Sequence, residues 1–345
     1  KITFFGGNTR ELEKRTRVRA RVIAQALREL IFESSNIFIM GHKNPDMDSL
    51  GASIGLWSSI RQLGKNCNII IDNDITAIDY MTKLKKDDKY DNLFISSEEA
   101  EKNINDKTLL IIVDVHNKGY VNNLDIVERI NRKIIIDHHR RSPDIIEGAL
   151  LNYIEVYASS TSEMVTELIQ YMLQKPRIPK IIAEGLLGGI FMDTKGFQFK
   201  SGVRTFDAAA FLRSLGADTI EVKKMFTDSL DDYLFISDTI RNAEVHENLA
   251  IAVCPSDVNN TVIVARAADE LLGISGIDVC FVLCNINDSI IISGRSTGEV
   301  NVQVILEELG GGGHMNMAGA KLECTIDEAV NLLKEAINKH LEIKE

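Results

Sequence analysis

The sequence predicts an α/β protein: a parallel sheet covered by helices, followed by a smaller mixed α/β part. Three observations predict it. From Asn36 onward the short apolar runs "NIFIM", "NCNIII", "TLLIIVDV" and "RKIIID" alternate with helical stretches such as "SLGASIGLWSSIRQLG", as a parallel sheet with crossover helices does. After a helical middle the alternation restarts near Val245. At 345 residues the chain exceeds one small core, and a prior of about 100–200 residues per domain gives two domains and a connecting segment.

Taken in order, residues 1–35 read as a connecting helix from an upstream domain. Val18, Val22, Ile23, Ala26, Leu27, Leu30 and Ile31 recur at spacings of three and four, which is amphipathic helix. Its basic cluster of Arg10, Lys14, Arg15, Arg17, Arg19 and Arg21 reads as a solvated face rather than a lipid or nucleic-acid contact. The first domain is expected over 36–230, with helices at Ser160 to Leu173, Pro179 to Phe191, Arg204 to Ser214 and Thr219 to Asn242. A linker helix, 231–244, leads to the second part, 245–345. There "VHENLAIAVC", "NTVIVAR", "IDVCFVLCNI" and "DSIIISGRS" read as strands of a small mixed sheet. The opening residue is Lys1 rather than Met, so the sequence is taken as a piece of a longer protein.

Composition bounds the function. An apolar fraction of 45% and a charged fraction of 26% are those of a soluble globular protein. No apolar run approaches the roughly 20 residues that cross a bilayer. The net charge of −11 excludes a broad basic surface for long nucleic acid, while leaving room for a small anionic substrate at one cationic spot. Cys67, Cys254, Cys280, Cys284 and Cys324 form no C-x-x-C pair and read as buried, reduced thiols of a cytosolic protein.

The chemistry collects at the strand ends. "FIMGHKNPDMDSLGA" places His42, Asp46 and Asp48 after the first strand; "LLIIVDVHN" ends in Asp114 and His116; "KIIIDHH" ends in Asp137, His138 and His139. Asp193 closes an apolar helical stretch in "GGIFMDTKGF". A parallel sheet aims such groups at one edge. Carboxylates and imidazoles are costly to crowd together unless a cation neutralises them. Oxygen and nitrogen donors without thiolate suit Mn²⁺ or Mg²⁺ rather than structural zinc. Two ions about 3.5–4 Å apart, sharing a carboxylate, serve in-line displacement at phosphorus.

Plainer readings stand beside these. An isolated Asp at a strand end is usually a helix cap, and a lone His42 would be a structural hydrogen-bonder; their conjunction favours ligands. His116 reads more readily as a turn residue than as a direct participant, and Asp137 as an acceptor that orients His138 or caps the loop. In "SSTSE", Ser160 and Glu163 read as a capping box rather than as part of a nucleophile cluster. In "LGGGGHMNMAGA" the backbone N–H groups of Gly311, Gly312 and Gly313, with His314, read as an anion site, and Arg295 in "IISGRSTG" is its cationic partner. Trp57 reads as core.

"GHKNPDMDS", "VDVHN", "DHH" and "MDTKGF" resemble the four phosphoesterase motifs of the DHH superfamily, and "GGGGHMNMAGA" resembles the signature of its DHH-associated (DHHA) C-terminal subdomain. The resemblance implies a parallel-sheet DHH domain with helices on both faces, a smaller α/β DHHA subdomain and an active site in the cleft between them. It implies that His42, Asp46 and Asp114 hold one divalent cation, that Asp48, Asp114, His138 and Asp193 hold a second, and that Asp114 bridges them, with Mn²⁺ the expected metal. His139 would face the substrate phosphate. Arg295, Gly311, Gly312, Gly313 and His314 would receive the substrate's far side.

The leading segment "FFGGNTRELEKRTRVRARVIAQALREL" is similar to the connection that precedes this module in GdpP-type cyclic di-AMP phosphodiesterases. That likeness implies hydrolysis of cyclic di-AMP to 5′-pApA, with hydroxide held between two ions attacking phosphorus and the 3′-oxygen leaving in line. It also implies membrane, PAS and degenerate GGDEF segments upstream, with the module on the cytoplasmic side, and leaves room for a homodimer. The alternatives are the nanoRNase or short-oligonucleotide phosphatase branch, which shares these motifs, and an inactive cyclic-dinucleotide sensor. No motif reads adenine as against guanine.

Overall fold

The computed structural model describes residues 9–72, 79–140, 144–227, 229–255, 261–287 and 289–341. The chain divides into two compact units, Lys1–Thr227 and Asp228–Glu345.

The first unit is built on six parallel strands: β1 (Asn36–Met40), β2 (Cys67–Ile70), β3 (Phe94–Ile95), β4 (Thr108–Val113), β5 (Arg132–Asp137) and β6 (Leu151–Ile154). Their order across the sheet is β3-β2-β1-β4-β5-β6. Side chains alternate between faces along each strand, so the β-branched runs fill two cores at once. Ile37, Ile39, Leu109, Ile111, Ile134 and Ile136 enter one, and Phe38, Met40, Leu110, Ile112 and Ile135 the other. The two strands absent from the sequence reading, β3 and β6, are the sheet's edges; both are short, and neither shows a long apolar run.

The larger core is covered by α1 (Thr9–Glu33), α2 (Met47–Gln62), α3 (Asp79–Leu84) and four later helices: α6 (Thr161–Met172), α7 (Lys180–Asp193), α8 (Val203–Ser214) and α9 (Thr219–Lys224). The opposite face carries α4 (Ser97–Glu101) and α5 (Leu124–Arg129). The helix α1 is more than a connector, because Ala20, Ala24, Leu27 and Ile31 are fully buried in the first core. At the centre α2 is buried on nearly all sides and packs closely on α7. A methyl group on Gly189 of α7 would lie 2.8 Å from Asp48 Cα and would collide with Ser162 Oγ.

Where one helix was expected over Thr219 to Asn242, the chain breaks between α9 and α10 (Leu230–Arg241). The Ser229 hydroxyl accepts from Asp232 N–H at 3.0 Å and starts α10 afresh, a cap that outweighs continued helix. The second unit holds a six-stranded sheet in the order β11-β12-β10-β9-β8-β7. Its strands are β7 (Glu244–His246), β8 (Leu249–Val253), β9 (Val279–Ile286), β10 (Ser289–Ser296), β11 (Gly312–His314) and β12 (Met317–Leu322). Only the β8–β9 pair is parallel. The helices α10 and α11 (Thr261–Leu272) pack on one face, and α12 (Val302–Glu307) and α13 (Ile326–Leu341) on the other.

Two expectations fail in this unit. "NTVIVAR" enters α11 rather than a strand, because Ile263, Val264, Ala267, Ala268 and Leu271 recur at helical spacing and bury one face, overriding the β-branched preference. Cys254 and Cys284, expected as free thiols, are disulfide-bonded with Cα atoms 5.0 Å apart; β8 leads Cys254 alongside β9, where its N–H donates to Leu283 O. Cys67 and Cys280 are buried free thiols, and Cys324 is half-buried. Among the described residues no helix is long and apolar enough to cross a membrane.

The close α2–α7 contact gives a first test. Gly189→Ala should force Asp48 and Ser162 away from α7 and cost about 1–3 kcal/mol through overpacking. A lowered urea midpoint at unchanged slope would report it, and an unshifted midpoint would show that α7 gives way freely.

Candidate metal centre

In this strand order the chain's direction of travel across the sheet reverses between β1 and β4, and the crevice beyond the carboxyl ends of such strands is where doubly wound sheets bind ligands. His42 lies two residues beyond β1, and Asp114 directly follows β4. Asp114 adopts φ +61°, a left-handed conformation that aspartate tolerates better than most residues, while its N–H donates to Ile136 O at 2.9 Å. Asp46 is the N-cap of α2: its Oδ1 accepts from Asp48 and Ser49 N–H at 2.9 and 3.0 Å and lies 3.8 Å from His42 Nε2. The cap reading and the ligand reading therefore hold for one carboxylate.

Asp48 lies in the first turn of α2, fully buried against the start of α6. Its Oδ2 accepts from Thr161 N–H at 2.7 Å and its Oδ1 from Ser162 N–H at 2.8 Å. Asp193, the last residue of α7, brings Oδ2 to 3.0 Å from His138 Nε2. His138 Nε2 also lies 3.6 Å from Asp114 Oδ1 and 3.9 Å from Asp48 Oδ2. On its other side Asp114 places Oδ2 3.5 Å from His42 Nε2. The result is three overlapping groups: His42, Asp46 and Asp114; Asp48, His138 and Asp193; and Asp114, His138 and His139. Within each, one ligand atom per residue lies within 4.8 Å of the others.

Of the two readings of Asp137, the structure shows the loop cap, with His139 N–H donating to Oδ1, and not a bond to His138. The Asp137 carboxylate is taken on both sides by other imidazoles: Oδ1 accepts from His139 N–H at 3.1 Å and lies 2.8 Å from His139 Nδ1, while Oδ2 meets His116 Nδ1. The turn that follows β5 brings His139 back over Asp137, and His116 comes from the loop after β4. His116 is thereby a buried brace, whereas the His139 side chain is 56% exposed. His138 Nδ1 is buried without a hydrogen-bond partner among the described residues. "SSTSE" caps α6 as expected, with Ser160 Oγ accepting from Glu163 N–H at 3.0 Å. The Glu163 carboxylate instead accepts from Ser159 and Thr205 hydroxyls, both at 2.6 Å.

Burial and the charges of neighbouring carboxylates push two of these groups up. Asp48 is raised to about 6 by burial and then by Asp193, and Asp114 well above its ordinary value by burial and then by Asp48, Asp46 and Asp193. Burial favours the neutral His138 ring, but its hydrogen bond to Asp193 and the charge of Asp48 raise it overall. Burial also acts on Asp46 and Asp137, and is outweighed: His42 and two helix N–H groups lower Asp46, and bonds from His116 and His139 lower Asp137. Crowded carboxylates raised by one another, with imidazole nitrogens and no thiolate between them, fit a hard or borderline divalent ion.

In the second unit Arg295 leaves β10 with its guanidinium already engaged. Nε donates to Asp269 Oδ1, and Nη1 to Ser293 Oγ and Gly294 O, each at 3.0 Å. The glycine run forms the edge strand β11 on β12 rather than an open loop. A methyl group on Gly311 would collide with Gly319 O, so the close strand pairing itself requires glycine there. The His314 side chain lies outside the described residues.

Fold and site together define a doubly wound α/β protein whose switch point carries a carboxylate–imidazole centre able to hold a divalent metal, followed by a mixed-sheet second unit. Residues 36–190 match the DHH family, N-terminal domain, and residues 246–341 match the DHHA1 domain; the chain belongs to the DHH family. It is 43% identical to the cyclic-di-AMP phosphodiesterase GdpP of Bacillus subtilis over 99% of this chain and 53% of that protein. It is 41% identical to the cyclic-di-AMP phosphodiesterase PdeA of Listeria monocytogenes, again over 99% of this chain and 53% of that protein. The chain thus spans about half the length of these curated relatives. Its fold matches the crystal structure of an exopolyphosphatase-related protein from Bacteroides fragilis, with TM-score 0.79 and 23% identity, covering 94% of this chain and 97% of that one.

The raised groups give the centre a pH signature. Asp48, Asp114 and His138 all hold protons more tightly folded than unfolded, so their stabilising contribution falls as pH rises above their ordinary values. Asp46 and Asp137 act oppositely, but that gain is nearly complete by about pH 5. Chelator-treated protein should therefore lose stability as pH rises from about 5 to 8. Excess Mn²⁺ should cancel that loss. Melting temperatures across this range check it, and a slope indifferent to Mn²⁺ would count against a cation at the centre.

Proposed function

We propose that this chain is the catalytic part of a cyclic di-AMP phosphodiesterase that opens one phosphodiester bond of the ring and releases 5′-pApA. The observation that carries the reading is the double-facing carboxylate of Asp114, with Oδ2 toward His42 and Oδ1 toward His138. The likeness to named cyclic-di-AMP phosphodiesterases over 99% of the chain supports cyclic di-AMP as the substrate. In this reading His42, Asp46 and Asp114 hold one Mn²⁺, and Asp48, Asp114, His138 and Asp193 a second. A bound pair of ions lowers the pKa of water and offsets charge on the phosphoryl oxygens.

The chain's own side chains do the rest. Asp137 engages His139 Nδ1, leaving Nε2 of the exposed ring for the phosphate oxygens. Arg295 has its fork set in advance by Asp269, Ser293 and Gly294. With Gly311, Gly312, Gly313 and His314 it grips the non-reacting part of the substrate. As water's oxygen joins phosphorus the ribose 3′-oxygen departs, so the phosphate remains on the 5′-oxygen. By likeness to relatives about twice its length, this module would lie downstream of sensory and membrane segments, on the cytoplasmic side.

Two experiments test the reading. Chromatography of a cyclic di-AMP digest should show pApA accumulating before AMP, because the opened dinucleotide is more flexible and binds less tightly. If AMP forms first, or pApA disappears faster than the cyclic substrate, the chain belongs with the short-oligonucleotide phosphatases. Separately, Asp114→Asn should lower Mn²⁺ uptake at both groups and abolish turnover while circular dichroism stays unchanged. Asp46→Asn should lower uptake at one group only. Near wild-type turnover of Asp114→Asn at saturating Mn²⁺ would overturn the shared-carboxylate assignment.

A further inference from the structure

The start of α6 touches two carboxylates of the centre in different ways. Asp48 is held by the Thr161 and Ser162 backbone N–H groups, contacts that survive any side-chain change. Asp114 is held by a side chain: the Thr161 hydroxyl donates to its Oδ1 at 3.0 Å. Both residues are buried, and among the described residues this is the hydrogen bond that the Asp114 carboxylate accepts. The histidines around it stand at 3.5–3.7 Å.

The second torsion of aspartate is broad, so a carboxylate without a fixed donor turns about its own axis. Thr161 is β-branched, with restricted side-chain rotation, and lies directly after the cap of α6, so its hydroxyl is a fixed donor. Its bond occupies one lone pair of Oδ1. The remaining lone pair of Oδ1 is left toward His138, and Oδ2 toward His42. The alternative is that Thr161 is simply a buried hydroxyl that found an acceptor, in which case its shape would matter and its hydroxyl would not.

We propose that Thr161 is a positioning residue for Asp114: its hydroxyl sets the plane of the shared carboxylate so that each oxygen addresses one ligand group. The inference rests on the two-ion reading above, and its test separates the two. Mn²⁺ is titrated calorimetrically into the chelator-treated chain and into Thr161→Val and Thr161→Ser variants, with melting curves taken in parallel. Thr161→Val, isosteric but without the hydroxyl, should bind Mn²⁺ about 10- to 100-fold more weakly at both groups, the usual effect of removing a hydrogen bond to a ligand. Thr161→Ser should restore affinity to within about threefold. Unchanged affinity in Thr161→Val overturns the proposal alone, as does Thr161→Ser binding as weakly as Thr161→Val, which would make the methyl group the active feature. A wild-type chain that takes up no Mn²⁺ overturns the metal reading and this inference with it. Should Thr161→Val fail to fold, Thr161→Ala carries the same two outcomes.

Discussion

Negative charge concentrated beyond the carboxyl ends of β1, β4 and β5 is the constraint that organises the first unit. Asp48 and Asp114 are buried, Asp46 and Asp193 stand beside them, and the surrounding negative charge raises the cost of ionising Asp48 and Asp114. The fold answers with groups of the opposite polarity. Helix N-termini carry partial positive charge, and the starts of α2 and α6 both point their free N–H groups at these carboxylates, Asp46 taking those of α2 and Asp48 those of α6. The imidazoles of His42 and His138 fill the spaces between. Dipoles and imidazoles offset only part of four carboxylates, and a divalent cation is the natural completion.

That constraint also explains the packing of the helices. For α2 and α6 to direct their first turns at one point while α7 delivers Asp193 from its last, the helices must lie very close, and glycine at position 189 allows it. The burial of α2 on nearly every side follows from the same demand. Its near-uniform burial leaves little amphipathic pattern in "MDSLGASIGLWSSIRQ", a helix read from its place between strands rather than from periodicity.

The carboxylate–imidazole cluster was legible in the sequence because its members sit at the ends of apolar runs, and a parallel sheet sends strand ends to one edge. His42, Asp46, Asp48, Asp114, His116, Asp137, His138 and His139 were readable as candidates in this way and Asp193 as the end of an apolar helix; the resemblance alone selected the six proposed ligands, and the structure places those six in overlapping clusters. The contacts that support them were not legible. Asp137 bonds to His116, 21 residues away, and which histidine it meets depends on how two loops fold over each other. Thr161 was hidden by a correct but incomplete reading, since "SSTSE" is a cap, and a cap at a helix start also puts hydroxyls where a neighbouring carboxylate needs them. In "NTVIVAR" local β preference pointed one way and the burial pattern of the next helical turns the other; the pattern prevailed.

The helix α1, which reads as a connector, shares a charge cluster with the end of β6, the strand beside the one that bears His138 and His139. Arg19 of α1 and Arg204 of α8 bond opposite oxygens of the buried Glu155 carboxylate, each at 3.1 Å, and Arg204 also meets Glu167. The Glu155 N–H in turn donates to Asp137 O at 3.0 Å, across the β5–β6 edge. A buried carboxylate that loses one of two cationic partners is left undercompensated, which is far costlier than losing an exposed pair. Withdrawing α1 would therefore strip Glu155 of Arg19, expose the core around Leu27 and Ile31, and loosen the segment that fixes Asp137 and, through it, His139. The first unit and its leading helix are one folded body, joined to the centre through Glu155 and Asp137.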